Sequence, residues 1–306
     1  GLGKFYLGDD NLYSGRTIIS NGNVRVARDN GFGPAPASLQ ADAVILDNGG
    51  FENDDSSYIL NTHSNRGITV TSRGGFIGAG YTSAGTVING PVTGPGLLGI
   101  NFENCPVTLN NSANDYSGGT AVGTNGPGAN TACAPVLKLG QNEVLPHGSG
   151  KGGLKIGFDS LSNNTLPVAT LDLNGKTETV NALVSGPKAA ITSSVANQGR
   201  LIIGSLGDDS EYRGAMSGGA TVEKQGAGSL RLTEAYLSGG TIDAKAGEVL
   251  ASGPNLAWGS TVLLNGGGLQ LSAPSGAYAG SENVLGARLL LGQSSTLTLS
   301  PDARGT

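Results

Sequence analysis

Charged and aromatic residues are scarce in this chain of 306 residues. Charged side chains make up 13% of the sequence and aromatic ones 5%, whereas soluble domains usually carry about 25% charged residues. The net charge is −5, and the 18 Lys and Arg residues are spread thinly along the chain. Because nucleic-acid binding needs clustered basic side chains, we expect no nucleic-acid partner. Long apolar runs are absent as well, so the sequence predicts no membrane-spanning helix.

Cysteine is almost absent. Cys105 and Cys133 are the only two cysteines. In a chain rich in Gly, Ser, Thr and Asn that looks secreted, such a pair favours one disulfide closing a glycine-rich loop over two buried thiols. His63 and His147 lie far from the cysteines and show no ligand spacing, so the sequence predicts no metal site and no cofactor.

Glycine is abundant, with 53 residues, about one in six against an average near 7%. A disordered, low-complexity chain is one interpretation of this composition. The apolar residues, however, alternate with polar ones in short runs, for example at 107–109, 170–173 and 296–299. Alternation with a period of two is typical of β-strands with one buried face.

One pattern recurs three times along the chain. A Gly-x-Gly turn leads through a strand into a Tyr-Ser-Gly-x-Thr corner or a close variant of it, and then into a second strand. The copies have their turns at residues 1–3, 94–96 and 226–228 and their corners at 13–17, 116–120 and 236–241. This spacing divides the chain into approximate super-repeats 1–93, 94–225 and 226–306. A repeat of this kind buries its apolar face only against its neighbours.

The repeats predict an all-β fold, a right-handed parallel β-solenoid (β-helix) with short Gly/Asn turns that continues through residues 1–306. Gly and Asn accept the left-handed backbone conformation that tight corners require. A glycine every few residues disfavours helices, at a cost of about 1 kcal/mol each in a helix interior. A β-sandwich, which also has short and evenly spaced strands, is the alternative fold.

Several segments carry a resemblance to a known family. Residues 171–175 read Leu-Asp-Leu-Asn-Gly, residues 222–228 read Val-Glu-Lys-Gln-Gly-Ala-Gly, and residues 246–250 read Ala-Gly-Glu-Val-Leu. The stretch 169–250 resembles the autotransporter-associated β-strand repeat of bacterial surface proteins. The resemblance implies an extracellular solenoid on the bacterial cell surface, without specifying a ligand. Arg16 stands where the family usually has Gly, and residues 41–90 match its pattern poorly.

Paired carboxylates are the candidates for catalysis, since some β-helices cleave polysaccharides and that chemistry uses two carboxyl groups. The pairs are Asp9–Asp10, Asp54–Asp55 and Asp208–Asp209. Neighbours in a strand point to opposite faces, and each pair adjoins turn-forming residues, so we interpret them as solvated turns and predict no catalytic residue. Glu52 with Asp54 and Asp55, or Asp208 and Asp209 with Glu211, are candidates for weak Ca²⁺ binding at most. His63 and His147 are interpreted as surface residues.

The sequence therefore predicts a structural, non-catalytic protein of the bacterial cell surface. Neither end of the chain looks like a polar capping coil, so the expected partners are copies of the same chain, stacked through the terminal coils into a filament. The alternatives are a segment of an autotransporter passenger that acts as an adhesin on cell-surface or carbohydrate ligands, and a polysaccharide-degrading enzyme. Electron microscopy showing only rods of one subunit's length would contradict the filament.

Overall fold

The computed structural model is a stack of parallel β-strands. It describes residues 4–53, 55–80, 84–101, 105–123, 134–157, 168–233, 235–237, 239–252, 257–258, 261–272, 288–292 and 294–300. All strand pairs in these ranges are parallel, and the ranges contain no α-helix, only a 3-10 turn at Asp29–Phe32. The predicted parallel β-solenoid is confirmed, and the β-sandwich, which is built from antiparallel sheets, is wrong.

Two walls of the solenoid run along much of the chain. Wall A is a sheet of 13 strands, in the order β1 (Lys4–Leu7), β3 (Asn23–Val26), β5 (Gly49–Asn53), β8 (Gly75–Ala79), β11 (Leu98–Asn101), β14 (Thr120–Val122), β16 (Leu154–Ile156), β19 (Leu183–Ser185), β22 (Ser210–Tyr212), β25 (Ser229–Thr233), β28 (Glu248–Ser252), β31 (Gly268–Ser272) and β33 (Thr296–Ser300). Wall C has nine strands, namely β6 (Leu60–Asn61), β9 (Thr86–Ile88), β12 (Pro106–Leu109), β15 (Val136–Leu139), β17 (Ala169–Asp172), β20 (Ala189–Thr192), β23 (Ala215–Met216), β26 (Tyr236–Leu237) and β29 (Ala257–Trp258).

The third side of the solenoid is divided between two sheets. Wall B covers it in the amino-terminal part, with β2 (Thr17–Ser20), β4 (Gln40–Asp47), β7 (Arg66–Val70), β10 (Val92–Gly94) and β13 (Asp115–Tyr116). Wall D covers it in the carboxy-terminal part, with β18 (Thr177–Val180), β21 (Arg200–Ile203), β24 (Ala220–Lys224), β27 (Gly240–Ala244), β30 (Thr261–Leu264) and β32 (Arg288–Leu291). In the cyclic order of the coils both sheets follow wall C and precede wall A. The side is therefore interrupted between β13 and β18.

Aliphatic ladders fill the interior. Residues in equivalent positions of successive coils are register partners, so each lies on the side chain of the coil before it. One such ladder on wall A consists of Phe51, Ile77, Ile100, Val122 and Ile156, and one on wall C of Val107, Leu137, Leu171 and Ile191. All of these side chains are buried. At roughly 1.5–3 kcal/mol for each large apolar side chain removed from water, the stacking of coils supplies the core that no single coil has.

The Gly-x-Gly turn at 226–228 shows why the corners need glycine. Gly226 has a φ of 65°, in the left-handed region. A Cβ at Gly226 would lie 2.2 Å from the carbonyl oxygen of Gly204, and one at Gly228 would lie 2.4 Å from that of Gly207. Each corner thus rests directly on the backbone of the preceding corner, and a side chain would separate the two coils.

The Tyr-Ser-Gly-x-Thr motif forms a hydrogen-bonded corner. The hydroxyls of Tyr13 and Thr17 lie 2.8 Å apart, and those of Tyr116 and Thr120 lie 2.6 Å apart. Tyr116 is buried, so its hydroxyl needs this partner. In the third copy the side chain of Tyr236 lies outside the described residues. The recurrence in sequence therefore reflects one local geometry, which two of the copies display.

Arg66 holds the segment between β3 and β4, residues 27–39, on the solenoid. Its guanidinium donates to both carboxylate oxygens of Asp29, at 2.7 and 3.1 Å, and to the carbonyl oxygens of Phe32, Gly33 and Pro34 at 2.8–3.1 Å. Arg66 itself is buried on β7. Phe32 in this segment packs edge-on against Phe51 of wall A, with ring centroids 5.1 Å apart.

Two of the sequence-based predictions fall partly outside the described residues. Cys105 is half-buried, but Cys133 lies outside the described ranges, so the disulfide stays a prediction. Asp54 also lies outside them. No helix in the described part of the chain has the length and apolarity that a membrane span requires. The super-repeat boundaries stay a prediction as well.

Candidate functional site

A ladder of amide side chains follows the ends of the wall C strands. Asn89 donates from Nδ2 to Oδ1 of Asn61 at 2.5 Å, and Asn110 donates from Nδ2 to Oδ1 of Asn89 at 2.7 Å. These residues directly follow or end β9, β6 and β12. Because parallel strands of successive coils end at the same edge, equivalent turn residues lie above one another. The ladder is a consequence of the coil repeat.

Further amide groups widen this ladder into a polar surface. Asn111 donates to the carbonyl oxygen of Asn89 at 2.7 Å, and Gln141 donates to that of Asn110 at 2.9 Å. A primary amide has two N–H donors and two acceptor lone pairs, and each of these two side chains uses one donor in these bonds. Donors and acceptors therefore remain available on the outside of the turn.

A groove of about 560 Å³ runs along these turns. Its lining consists of five amide side chains and four other residues: Asn61, Asn89, Asn110, Asn111 and Gln141, with Thr62, His63, Ser64 and Ser112. None of the nine is Lys, Arg, Asp or Glu. The groove thus presents many hydrogen-bonding groups and no fixed charge.

His63 is the one titratable residue of the groove. Its backbone N–H donates to Asp29 Oδ1 at 2.9 Å, and its Nδ1 accepts the backbone N–H of Asn65 at 3.1 Å. With Nδ1 acting as an acceptor, the neutral ring carries its proton on Nε2. The sequence interpretation placed His63 in a surface loop, and the structure places it half-buried in a turn that lines the groove.

A second group of polar residues lies where the third side of the solenoid is interrupted. Residues 140–153 contain no strand, so the N–H groups of Val144 and Leu145 have no strand carbonyl beside them. They donate instead to Oε2 and Oε1 of Glu178, on β18, at 2.9 and 3.0 Å. The carboxylate of Glu178 therefore takes the place of a neighbouring strand.

Other side chains complete this join. Glu143, whose φ is 51°, accepts the backbone N–H of Thr179 at 2.9 Å. Asn181 accepts the N–H of Gly148 and donates back to its carbonyl oxygen, both at 2.8 Å. One backbone hydrogen bond also crosses the join, from the N–H of Glu143 to the carbonyl oxygen of Thr177 at 3.0 Å. Most of the hydrogen bonds that hold the turn on the next coil nevertheless come from side chains.

His147 lies within this join. Its Nδ1 is 3.6 Å from Oε2 of Glu143, and one ligand-type atom from each of Glu143, His147 and Glu178 lies within 4.8 Å of the other two. Glu178 is fully buried, whereas Glu143 and His147 are 37% and 38% exposed. The sequence interpretation placed His147 at the surface, and its side chain is exposed. The structure adds that it lies beside the carboxyl groups of Glu143 and Glu178. Glu143 precedes His147 by four residues in the sequence. Glu178 belongs to the next coil, so it lies beside His147 only because the length of the coil places it there.

Burial dominates the electrostatics of Glu178. It raises the pKa of the carboxyl group from its ordinary 4.5 to about 8, against the opposing effect of the N–H donors of Leu145 and Val144 and with a smaller addition from Glu143. A carboxyl group whose pKa is higher in the folded state stabilises the fold fully below its unfolded pKa. That contribution is lost as the pH rises towards the folded pKa.

We therefore expect the free energy of unfolding to fall between pH 4.5 and about 8, with Glu178 as the cause. Urea unfolding over this pH range, in a buffer containing a chelator, measures the effect. Glu178→Gln removes this titration, so the difference in unfolding free energy between wild type and variant should shrink or reverse as the pH rises. Parallel pH profiles for the two proteins would contradict the assignment.

The carboxylate pairs Asp9–Asp10 and Asp208–Asp209 lie between strands. Asp9, Asp10, Asp208 and Asp209 are exposed, as solvated turns should be. Asp209 accepts the N–H and the hydroxyl of Ser229 at 2.7 and 2.9 Å, so it joins two coils.

Glu52, a sequence candidate for weak Ca²⁺ binding, has a basic partner in the structure. It is buried on β5 and lies 2.8 Å from Nε of Arg25, its ion-pair partner on the neighbouring strand of wall A. Its role is therefore to pair with Arg25 across the wall, which removes it from the acidic turn that was the candidate for Ca²⁺.

Comparison with known proteins adds one match. The adhesin BmaC autotransporter of Brucella suis biovar 1 (strain 1330) is 28% identical over 309 residues, which cover 96% of this chain and 8% of that protein. The chain thus spans less than a tenth of the length of the relative it matches. No family model matches the chain, and no solved structure matches it. The chain is accordingly similar to part of an autotransporter adhesin, and its fold is that of a parallel β-solenoid.

Proposed function

We propose that this chain is a non-catalytic adhesive segment of a bacterial cell-surface passenger. The similarity to an autotransporter adhesin along nearly the whole chain supports this role. The architecture fits it, because a stacked solenoid presents long, regular outer walls and holds its turns in fixed positions. The exposed and separated carboxylate pairs support a non-catalytic role.

The groove along the wall C turns is the proposed binding surface, and its chemistry favours a neutral glycan. Sugars offer many hydroxyl groups, each able to donate and accept hydrogen bonds, and the groove offers amide and hydroxyl groups that can do the same. A strongly charged ligand would find no counter-charge in the lining, so its desolvation would not be offset. The volume of about 560 Å³ lies within the range of small-molecule sites.

Filling the groove should abolish glycan binding. Ser112 is exposed in the groove, so Ser112→Trp obstructs it without disturbing the core. We expect the wild-type chain to retain neutral oligosaccharides on a glycan array, and Ser112→Trp to weaken binding of the retained sugar at least tenfold in calorimetry. The matched control is Ser205→Trp, at another exposed turn away from the groove.

Two results would contradict this proposal. Equal binding by Ser112→Trp and wild type would place the sugar elsewhere on the solenoid. If the array retained no glycan but the chain still adhered to host cells, the chain would be an adhesin whose ligand is not a glycan.

Head-to-tail stacking into a filament stays a prediction. Phe5 is exposed on the first described coil and Leu291 on the last one, although both occupy ladder positions that are buried in other coils. A further coil, from a longer chain or from another copy, would cover them. We favour the longer chain, because the similar adhesin contains its matching segment within one continuous protein of far greater length.

A further inference from the structure

The join between the turn at 140–153 and β18 contains three metal-ligating side chains from two coils. We propose that Glu143, His147 and Glu178 bind one divalent transition-metal ion, for which Zn²⁺ is the representative. Their ligand-type atoms already lie within 4.8 Å of one another. In a tetrahedral zinc site with bonds near 2.1 Å, ligand atoms are about 3.4 Å apart. The required approach is therefore about 1 Å, within reach of the side chains of Glu143 and His147, which are partly exposed.

The charges of the cluster favour a cation. Two carboxylates lie together, and in the described ranges neither forms an ion pair with Lys or Arg; the only basic group at the site is the His147 ring. Glu178 is fully buried, and burial favours its neutral form as long as no cation lies beside it. A dication between the three side chains would stabilise the carboxylate form and displace the proton.

All three side chains already form polar contacts. Nδ1 of His147 lies 3.3 Å from the carbonyl oxygen of Leu145, a contact that coordination through Nδ1 would replace. The two oxygens of Glu143 accept the N–H and the hydroxyl of Thr179 at 2.9 and 3.1 Å. Each oxygen of Glu178 accepts one backbone N–H, from Val144 or Leu145. A carboxylate oxygen has two lone pairs, so one remains on each atom. The N–H donors orient the carboxylate, as hydrogen bonds to metal ligands generally do.

The ligand set selects the class of metal. One imidazole with two carboxylates suits zinc and other first-row transition metals. Ca²⁺ takes six to eight oxygen ligands, and Mg²⁺ keeps most of its waters, so neither is matched by an imidazole and two carboxylates. Solvent on the exposed side of Glu143 and His147 would supply the fourth ligand.

Binding would tie the turn at 140–153 to β18 at the point where the third side of the solenoid has no strand pairing. The ion would therefore act as a clamp on the turn, and Gln141 of the groove belongs to the same turn. The inference depends only on the geometry of the join and stands independently of the adhesive function.

Zinc titration of the full chain tests the inference, after chelator treatment and exchange into metal-free buffer. We expect wild type to bind one Zn²⁺ in calorimetry and its melting temperature to rise with Zn²⁺. His147→Ala should weaken binding at least tenfold and remove the rise, and Glu143→Gln should weaken binding as well. Glu248→Gln, at an exposed carboxylate on β28 outside both the cluster and the groove, is the matched control for Glu143→Gln and should bind Zn²⁺ as wild type does. Circular dichroism verifies that the variants are folded.

Three outcomes would overturn the site. The first is that wild type does not bind Zn²⁺. The second is that His147→Ala and wild type bind Zn²⁺ equally, which would place the ion elsewhere in the protein. If Ca²⁺ raised the melting temperature as much as Zn²⁺ does, and did so in His147→Ala as well, the cluster would attract cations in general and would not be a transition-metal site.

Discussion

Arg66→Ala should lower the free energy of unfolding by about 3–5 kcal/mol, the usual cost of removing one partner from a buried ion pair. The guanidinium is buried and holds Asp29 together with the carbonyl oxygens of Phe32, Gly33 and Pro34. Its loss leaves a half-buried carboxylate without its cation and three carbonyl groups without a donor. Urea unfolding followed by circular dichroism measures the change.

The control for this prediction is an ion pair of the same chemistry at the surface. Arg73 donates to Asp47 at 2.8 Å, but its side chain is 49% exposed, and exposed pairs contribute about 0–1 kcal/mol. Arg73→Ala should therefore change stability by less than about 1 kcal/mol. A double-mutant cycle of Arg66→Ala with Asp29→Ala should show strong coupling. If Arg66→Ala cost no more than Arg73→Ala, the segment between β3 and β4 would not depend on Arg66.

Phe51→Ala should cost about 3–5 kcal/mol, the usual range for removing a buried aromatic ring. Phe51 is fully buried in the wall A ladder, with Ile77 as its register partner on the next coil and Phe32 against its ring. Neighbouring coils are fixed by strand pairing, so they cannot close around the space that the ring leaves. The same unfolding measurement reports the loss.

The same ladder supplies the control. Phe5 occupies the equivalent position two coils earlier, since Phe5 pairs with Val24 and Val24 with Phe51. Phe5 is 63% exposed, so Phe5→Ala should cost less than about 1 kcal/mol in this chain. Equal losses for the two variants would show that stability does not follow burial along the ladder.

Local pattern was enough to predict the strands and corners. The alternation in residues 107–109 and 170–173 marks strands β12 and β17, because side chains alternate between the two faces of a strand. Gly226 lies at a left-handed corner, as the Gly-x-Gly turn indicated. These features depend on neighbours in sequence, and the repeat showed that they recur.

The candidate sites bring together residues of different coils, so they depend on the length of each coil. The sequence did not indicate these lengths. Asn61, Asn89 and Asn110 form a ladder only because their coils place them above one another. The ion pair of Glu52 gave no signal in the sequence either, because its partner Arg25 lies on another coil. Glu178 gave no signal at all, since it lies in a strand and acts on the turn of a different coil.

By itself the sequence determined that this protein winds into a parallel solenoid, because alternation and glycine corners are local properties that each coil repeats. The tertiary structure alone decided where the third side changes from wall B to wall D and which polar groups repair the interruption. The physical reason is that a turn without strand pairing leaves N–H groups that must find acceptors. The carboxyl oxygens of Glu178 accept the N–H groups of Val144 and Leu145, and this position places Glu178 beside His147.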